Sequence, residues 1–393
     1  MNKIGIIGSG TMGIGIAQVA STADCEVFLY DANPAQTEKA LAGLKQNLDK
    51  LVAKLKISVE KSEQIFKQIK PCNQLSEMKN CDFVIEAIIE NKEIKTKLFG
   101  ELEEVVSDYC VIASNTSSIS ITSLSAELKN PSRFIGIHFF NPAPLMPLVE
   151  VIPGLLTEKT LARKLYSLME NWGKTPVIAK DVPGFIVNRI ARPFYGEALR
   201  IAEENIATPE QIDDAMRTLG NFRMGPFELM DLIGIDINFA VTKTVYADYF
   251  YDPKYKPSLL QQRMAEAKLL GRKTGKGFYD YSTEKSQESR AKSQVERAKS
   301  QEVEDPELYE SIFNRIISML INEAVEAKRL GIANDEDIEL AMQKGVNYPK
   351  GLLQWGFDIG YGKISETLQK LYEEYQEERY RQSPLLRKLI MKN

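Results

Sequence analysis

The chain opens KIGIIGSGTMGIGIAQVA, and no other stretch constrains the fold as strongly. A short apolar run from Lys3 breaks at Gly8, Gly10 and Gly13 and resumes with helical periodicity, and a second apolar run, EVFLYD, ends in Asp31. A GxGxxG spacing alone is a weak signal, because glycine-rich turns are common. Its place between a strand and a helix, with a second strand closing on an acid, gives it meaning. Gly8 permits the tight turn, Gly10 lets the backbone approach a pyrophosphate, and Gly13 allows the helix to pack closely on the sheet. Thr11 and Met12 start that helix, whose unpaired N-terminal amides attract an anion. Asp31 is placed to accept hydrogen bonds from the adenosine ribose hydroxyls. No Arg or Lys follows it until Lys39, so NAD is expected over NADP.

Further apolar runs follow at Phe83–Ala87, Val111–Ala113, Phe134–Ile137, Leu148–Ile152 and Pro176–Ala179, and helical patterns separate several of them. Parallel crossover units in an open, doubly wound α/β sheet follow. Polar residues fall just beyond these runs: Glu90 after one, Asn115 and Ser117 after the next, His138 at the end of a third. Ligands of such sheets bind outside the carboxyl ends of the strands, so these residues converge on one crevice.

His138 is the only histidine in 393 residues, and Glu150 follows twelve residues on in HFFNPAPLMPLVEV. Imidazole is the side chain that ordinarily exchanges protons near neutrality. A neutral His138 can take a proton on one ring nitrogen while Glu150 stabilises the other. Ser117 can hydrogen-bond the substrate oxygen whose charge changes, and Asn141 can support the site.

With a net charge of -4, 44% hydrophobic and 26% charged residues, the composition is that of a globular chain without a nucleic-acid footprint. Cys25, Cys72, Cys81 and Cys110 are scattered, without metal-ligand spacing. That pattern points to a reducing, cytoplasmic compartment and to neither a disulfide framework nor a metal site. The strand-like run beginning at Lys3 leaves no room for a cleavable signal peptide ahead of the fold. No apolar stretch approaches the ~20 residues that cross a bilayer.

Between Pro34 and Asn80 lies a charged insertion in which Leu41, Leu44, Leu48, Leu51 and Leu55 keep helical spacing, predicting a helical hairpin with one apolar face. After PGFIVNR the pattern turns all-helical and repeats at a constant offset of 126 residues. Asn188, Glu197, Ile212, Met216, Gly225 and Gly234 correspond to Asn314, Glu323, Ile338, Met342, Gly351 and Gly360. Two copies are too few for a solenoid, so two helical units packed face to face are expected. The resulting division is a dinucleotide-binding domain over 1–182 with an insertion at about 34–80, a helical domain over 183–283, a charged linker over 284–305, and a second helical domain over 306–393.

These residues together resemble the L-3-hydroxyacyl-CoA dehydrogenases, including the 3-hydroxybutyryl-CoA dehydrogenases. The resemblance rests on GSGTMG, EAIIEN, SNTSS, HFFNPAPLMPLVEV, PGFIVNR, MGPFELMDLIGID and GRKTGKGFYDY, in family order over nearly the whole chain. It implies a Rossmann-like domain followed by an all-α region, NAD as cofactor and an acyl-CoA thioester as substrate. It further implies His138 and Glu150 as the catalytic pair, Ser117 as the catalytic serine, Asn188 as the substrate-orienting asparagine, and Glu90 and Lys95 near the nicotinamide half of the cofactor. Lys54 aligns with a lysine associated with coenzyme A, and Asn47 stands where its usual serine partner would be. Asn314 has no second dinucleotide domain to serve, so the second copy is assigned no catalysis. In single-copy members the helical domain resembles a dimerisation unit, so the second copy here can take a partner's place, leaving a monomer or a dimer formed by another surface. Two alternatives stand beside this reading: a dehydrogenase of a free hydroxy acid or sugar acid, and a non-catalytic, crystallin-like cofactor-binding protein.

Overall fold

The computed structural model describes residues 1–282 and 305–391. The predicted linker therefore lies, apart from Asp305, outside the described residues. The chain divides into two compact units, Met1–Phe185 and Ile186–Asn393.

The first unit is built on strands β1 (Lys3–Ile7), β2 (Glu26–Tyr30), β3 (Ile69–Cys72), β4 (Phe83–Glu86), β5 (Val111–Ser114), β6 (Phe134–Phe139), β7 (Leu148–Ile152) and β8 (Thr175–Ile178). They form one eight-stranded sheet in the order β3-β2-β1-β4-β5-β6-β7-β8. Helices α1 (Thr11–Thr22), α2 (Pro34–Ala53), α3 (Val59–Gln68), α4 (Lys92–Glu103), α5 (Ile121–Ser125) and α6 (Leu161–Asn171) connect them. Near-continuous apolar strands mark a sheet covered on both faces. Accordingly Ile4, Ile6, Val27, Leu29, Phe83, Ile85, Ile135 and Ile137 form the core with Ile16, Ala20 and Leu165 of the helices.

Strands β1 to β6 are parallel, as expected. The last two are not: β7 runs antiparallel to β6, and β8 pairs parallel with β7. Residues 140–147 between β6 and β7 are too few for a crossover, which takes roughly a dozen residues or more.

The insertion also differs from expectation. It contains helices α2 and α3, capped by Asn33 and Ser58, but it then delivers β3 to the edge of the sheet beside β2. The helices are the crossover between those strands. Leu44 and Leu48 are buried and Leu41 and Leu51 pack against the same core, whereas Leu55 is 93% exposed. Helix α2 stops at Ala53, so Leu55 falls in the turn with a left-handed backbone and leaves the apolar face.

In the second unit, α7 (Val187–Ile190), α8 (Arg192–Glu203), α9 (Pro209–Gly220), α10 (Pro226–Ile233), α11 (Ile235–Asp248) and α12 (Leu259–Glu266) belong to the first copy. The second copy comprises α13 (Pro306–Arg329), α14 (Asp335–Gly345), α15 (Leu352–Ile359), α16 (Tyr361–Tyr375) and α17 (Pro384–Ile390). The repeat offset maps α9 to α14, α10 to α15 and α11 to α16. The sharp turns between the last two pairs are made by Gly234 (φ 102°) and Gly360 (φ 92°), a backbone that side-chain-bearing residues rarely adopt.

The copies face each other through reciprocal buried ion pairs. Arg189 Nε meets Glu323 Oε1 at 2.6 Å, and Arg315 Nε meets Glu197 Oε2 at 3.0 Å. Each pair joins an arginine of one copy to the glutamate of the other, and both residues recur at the 126-residue offset. The surroundings are alike: Arg189 donates to Tyr249 and Arg315 to Tyr375 at the same offset, while Tyr255 donates to Glu323 and Tyr380, one residue out of register, to Glu197. This is the isologous pattern of a two-fold dimer, contained in one chain.

Candidate active site

The glycine turn is compelled partly by the protein itself. Gly8 has φ 98°, and a Cβ there would lie 2.6 Å from the carbonyl oxygen of Ala87. A Cβ on Gly13 would lie 1.8 Å from the carbonyl oxygen of Gly8, so only glycine lets α1 approach the turn. At Gly10 no protein atom stands within 4 Å of a Cβ. Protein packing does not require glycine there, whereas close approach by a phosphate does. Gly10 is also the N-cap of α1 and supplies no side chain to its amides. Thr11 is exposed and Met12 half-buried at this end of the helix. The residues present thus fit a dinucleotide.

Asp31 has a structural duty besides the predicted one. Its Oδ2 accepts from the Ser9 amide (2.8 Å) and hydroxyl (2.9 Å), and its Oδ1 from the Asn33 amide (2.9 Å). The carboxylate thereby ties the end of β2 to the glycine turn.

At the ends of β4 and β5 lies a network that the sequence only half anticipates. Lys95, 1% exposed on α4, pairs with Glu86 Oε1 at 2.5 Å and with Glu90 Oε2 at 3.3 Å. Glu86 is fully buried and also accepts from the Ile88 amide and the Ser114 hydroxyl. Glu90 accepts from the Thr116 hydroxyl, the Ser117 amide and the Ser118 hydroxyl. Burial pushes the Glu90 carboxyl upward, but Lys95 and these three donors outweigh it and hold it below the usual carboxylate range. Glu86 opens the EAIIEN motif and Ser114 and Thr116 lie in SNTSS, but the motifs give these three residues no role. An acid ending the apolar run FVIE, with a lysine nine residues on, is the signal that could have found them.

His138 and Glu150 are directly opposite each other in the antiparallel β6–β7 register. Nδ1 of His138 lies 2.7 Å from Oε2 of Glu150, and both side chains are buried. A carboxylate only accepts, so Nδ1 carries the hydrogen and Nε2 is left to exchange a proton. Phe140 and Phe185 pack beside the imidazole, with ring centroids 4.5 and 6.0 Å away. Asn115 accepts from the Phe139 amide at 2.8 Å, fastening the end of β6 to the end of β5. Asn141 is exposed and precedes a cis peptide bond to Pro142.

The structure thus brings His138 and Glu150 together, and Glu90 and Lys95 with the backbone of Ser117. Asn188 belongs to the second unit, half-buried on α7. Asn47 is exposed on α2, and Lys54 is the exposed residue that ends that helix. Among the described residues no cluster of His, Cys, Asp or Glu could hold a metal ion, and no helix is long and apolar enough to cross a membrane.

A glycine turn at a bare helix N-terminus, in one sheet with a buried His–Glu pair, defines an NAD-dependent oxidoreductase acting on a hydroxyl or carbonyl carbon. The model of the 3-hydroxyacyl-CoA dehydrogenase NAD-binding domain matches residues 3–182, and that of the 3-hydroxyacyl-CoA dehydrogenase C-terminal domain matches residues 184–281 and 312–393. The chain belongs to the 3-hydroxyacyl-CoA dehydrogenase family, and the reaction is NAD-dependent oxidation of a 3-hydroxyacyl-CoA. It is 37% identical to the 3-hydroxyadipyl-CoA dehydrogenase of Escherichia coli K12, covering 98% of this chain and 97% of that protein. The 3-hydroxybutyryl-CoA dehydrogenase of Clostridioides difficile is 41% identical, over 71% of this chain and 99% of its own length. The crystal structure of an Escherichia coli K12 3-hydroxybutyryl-CoA dehydrogenase covers 99% of this chain and 98% of its own, with a TM-score of 0.91 at 35% identity. The free-acid and crystallin-like readings are not favoured.

Proposed function

We propose that the substrate is a short-chain (S)-3-hydroxyacyl-CoA, with 3-hydroxybutyryl-CoA and acetoacetyl-CoA as the simplest pair, and that His138 is the general base of its oxidation. The 2.7 Å contact between His138 Nδ1 and Glu150 Oε2 carries this reading. It aims Nε2 at the substrate hydroxyl and gives the imidazolium formed on proton transfer a buried counter-charge. When bound, NAD accepts the hydride that leaves the same carbon. Ser117 hydrogen-bonds the substrate oxygen, Asn188 holds the thioester end, and Asn141 supports the loop between the paired strands. Gly8, Gly10, Thr11, Met12, Gly13, Asp31 and Asn115 form the cofactor cradle with Glu90 and Lys95, and Asn47 with Lys54 meets the coenzyme A moiety. The name of the full-length Escherichia coli relative favours a second substrate reading, the six-carbon dicarboxylic thioester.

The reciprocal Arg189–Glu323 and Arg315–Glu197 pairs support a monomer in which the second copy stands in for a partner. Four buried, unpaired cysteines support a cytoplasmic location.

The test is NADH consumption with acetoacetyl-CoA, with NADPH and free acetoacetate as controls. Rapid turnover is expected only with NADH and the thioester. His138→Ala should lower turnover by about 10²–10⁴-fold, the usual contribution of a positioned acid–base group. Near-normal turnover in that variant would remove His138 from the role.

A further inference from the structure

Glu86, the last residue of β4, is fully buried, and its two carboxylate oxygens reach the turn that carries Ser117 by separate routes. Oε2 accepts from the Ser114 hydroxyl (2.7 Å), and the Ser114 oxygen accepts in turn from the Thr116 amide (3.2 Å). Oε1 accepts from the Ile88 amide (2.6 Å) and from Lys95 Nζ (2.5 Å), and the same ammonium stands 3.3 Å from Glu90 Oε2. The other oxygen of Glu90 accepts from the Thr116 hydroxyl (2.5 Å), the Ser117 amide (3.0 Å) and the Ser118 hydroxyl (3.1 Å).

These contacts close a ring that runs from Glu86 to Ser114, Thr116, Glu90, Lys95 and back to Glu86. The far end of the segment is tied down as well, because Asp181 accepts from the Ser120 hydroxyl (3.0 Å) and from the amides of Ile121 (3.0 Å) and Thr122 (2.8 Å) at the start of α5. Ser117 thus stands between two carboxylate anchors. Balancing the Lys95 ammonium takes one carboxylate, and bringing a second out of water is unfavourable. What the second carboxylate adds is direction: an ammonium held from behind by Glu86 keeps a fixed place against Glu90.

We propose that Glu86 is a positioning residue of the dehydrogenase reaction, aiming Lys95 at Glu90 and so fixing the turn from which Ser117 meets the substrate oxygen. This rests on the proposed role of Ser117. A misplacement of about 1 Å in a catalytic arrangement can lower the rate about 100-fold, so a fixed turn has kinetic value.

The test measures kcat, KM and melting temperature for the full-length enzyme in NADH-dependent reduction of acetoacetyl-CoA. Glu86→Gln should lower kcat by about 10–100-fold with KM for acetoacetyl-CoA changed less than about threefold, the split that marks an interaction lost in the transition state. The double variant Glu86→Gln with Lys95→Met removes the buried ammonium together with its buried partner. It should therefore melt above Lys95→Met alone, yet its kcat should stay low. Lys95 is the charged group beside Glu90, with Glu86 behind it. Without that ammonium, burial raises the Glu90 carboxyl, and a protonated carboxyl accepts fewer hydrogen bonds, so the deficit in kcat against the parent should be larger at pH 6 than at pH 8. In reduction His138 donates a proton, so its own titration removes activity on the alkaline side and stays separate from that of Glu90. Parental kcat in Glu86→Gln would overturn the proposal. So would a double variant that regains kcat along with its melting temperature, which would make Glu86 a counter-ion alone. Where Glu86→Gln does not fold, Ser114→Ala cuts the other route and should give a smaller loss of the same kind; unchanged kcat there and in the double variant overturns the proposal. Ser117→Ala separates the two readings. Near-parental kcat in Ser117→Ala removes the proposed role of Ser117 and this inference with it, whereas an impaired Ser117→Ala beside an unimpaired Glu86→Gln strikes this inference alone.

Discussion

At the scale of the residue, burial governs the chemistry of the thiols. Burial pushes Cys72 up to about 11, and Cys81 and Cys110 up to about 12, from an ordinary value near 9. A thiolate is the reactive species, so these sulfurs are inert in the folded chain. A disulfide reagent at pH 8 should label none of the four cysteines in the native protein and all four in guanidinium. Stability should respond to alkali. Above about pH 9 the unfolded chain sheds thiol protons that the folded chain keeps, so the folded state binds more protons and stability falls as pH rises toward 12. Urea midpoints at pH 8 and 10 measure this, and a midpoint that rises over that interval would contradict it. The His138 and Glu150 pair is singled out at this scale by the lone histidine together with the motif HFFNPAPLMPLVEV that holds both residues. The one histidine and the glutamate twelve residues on stand out in the chain, but the antiparallel return that sets them opposite each other does not.

At the scale of the element, the hairpin that carries His138 and Glu150 is held from two sides. Ala143 and Pro144 of its loop lie 3.2 Å from where a Cβ on Gly15 of α1 would stand, so the helix that starts at the glycine turn abuts the loop directly. On the other side Lys174, just before β8, donates from Nζ to the carbonyl oxygens of Ala143 (2.5 Å) and Met146 (3.0 Å). Burial pushes its ammonium down to about 8, so the clamp is best tested at or below pH 7. Lys174→Met keeps the apolar stem and loses the donors. It should cost about 1–3 kcal/mol of stability in urea unfolding and speed amide exchange over residues 140–147, with Lys174→Arg restoring part of both. Unchanged exchange in Lys174→Met would remove the clamp. The elements themselves are legible where periodicity and punctuation agree, as in β1, α1 and β2. The direction of β7 departs from the parallel expectation, although the eight-residue loop before it already excludes a crossover. Strand β3 is hidden because four residues of IKPC carry too little pattern beside the charged helices that precede them.

At the scale of the whole molecule, the reciprocal ion pairs are the feature on which the helical unit turns. Arg189→Met removes the nearest cation of buried Glu323 and leaves it Lys254 at 3.6 Å and the Tyr255 hydroxyl, so the variant should lose about 1–3 kcal/mol in denaturant unfolding. The exchange Arg189→Glu with Glu323→Arg should recover part of the loss, because the coupling belongs to the pair rather than to either residue. No recovery in the double variant would show that the surrounding tyrosines, rather than the charges, set the interaction. The 126-residue repeat is readable in the chain, and so are the arginines at 189 and 315. That each arginine reaches the glutamate of the other copy is not, since two copies can equally satisfy their own charges internally. The glycine turn, the alternation of strand and helix, the duplication and the candidate pair His138 and Glu150 are readable along the chain, because they follow from contacts between residues near one another or from identities at fixed spacing. The reversal of the last two strands, the buried Glu86–Lys95 link and the clamp at Lys174 come from the folded arrangement alone. Each depends on which groups meet once segments far apart in the chain have excluded water from between them.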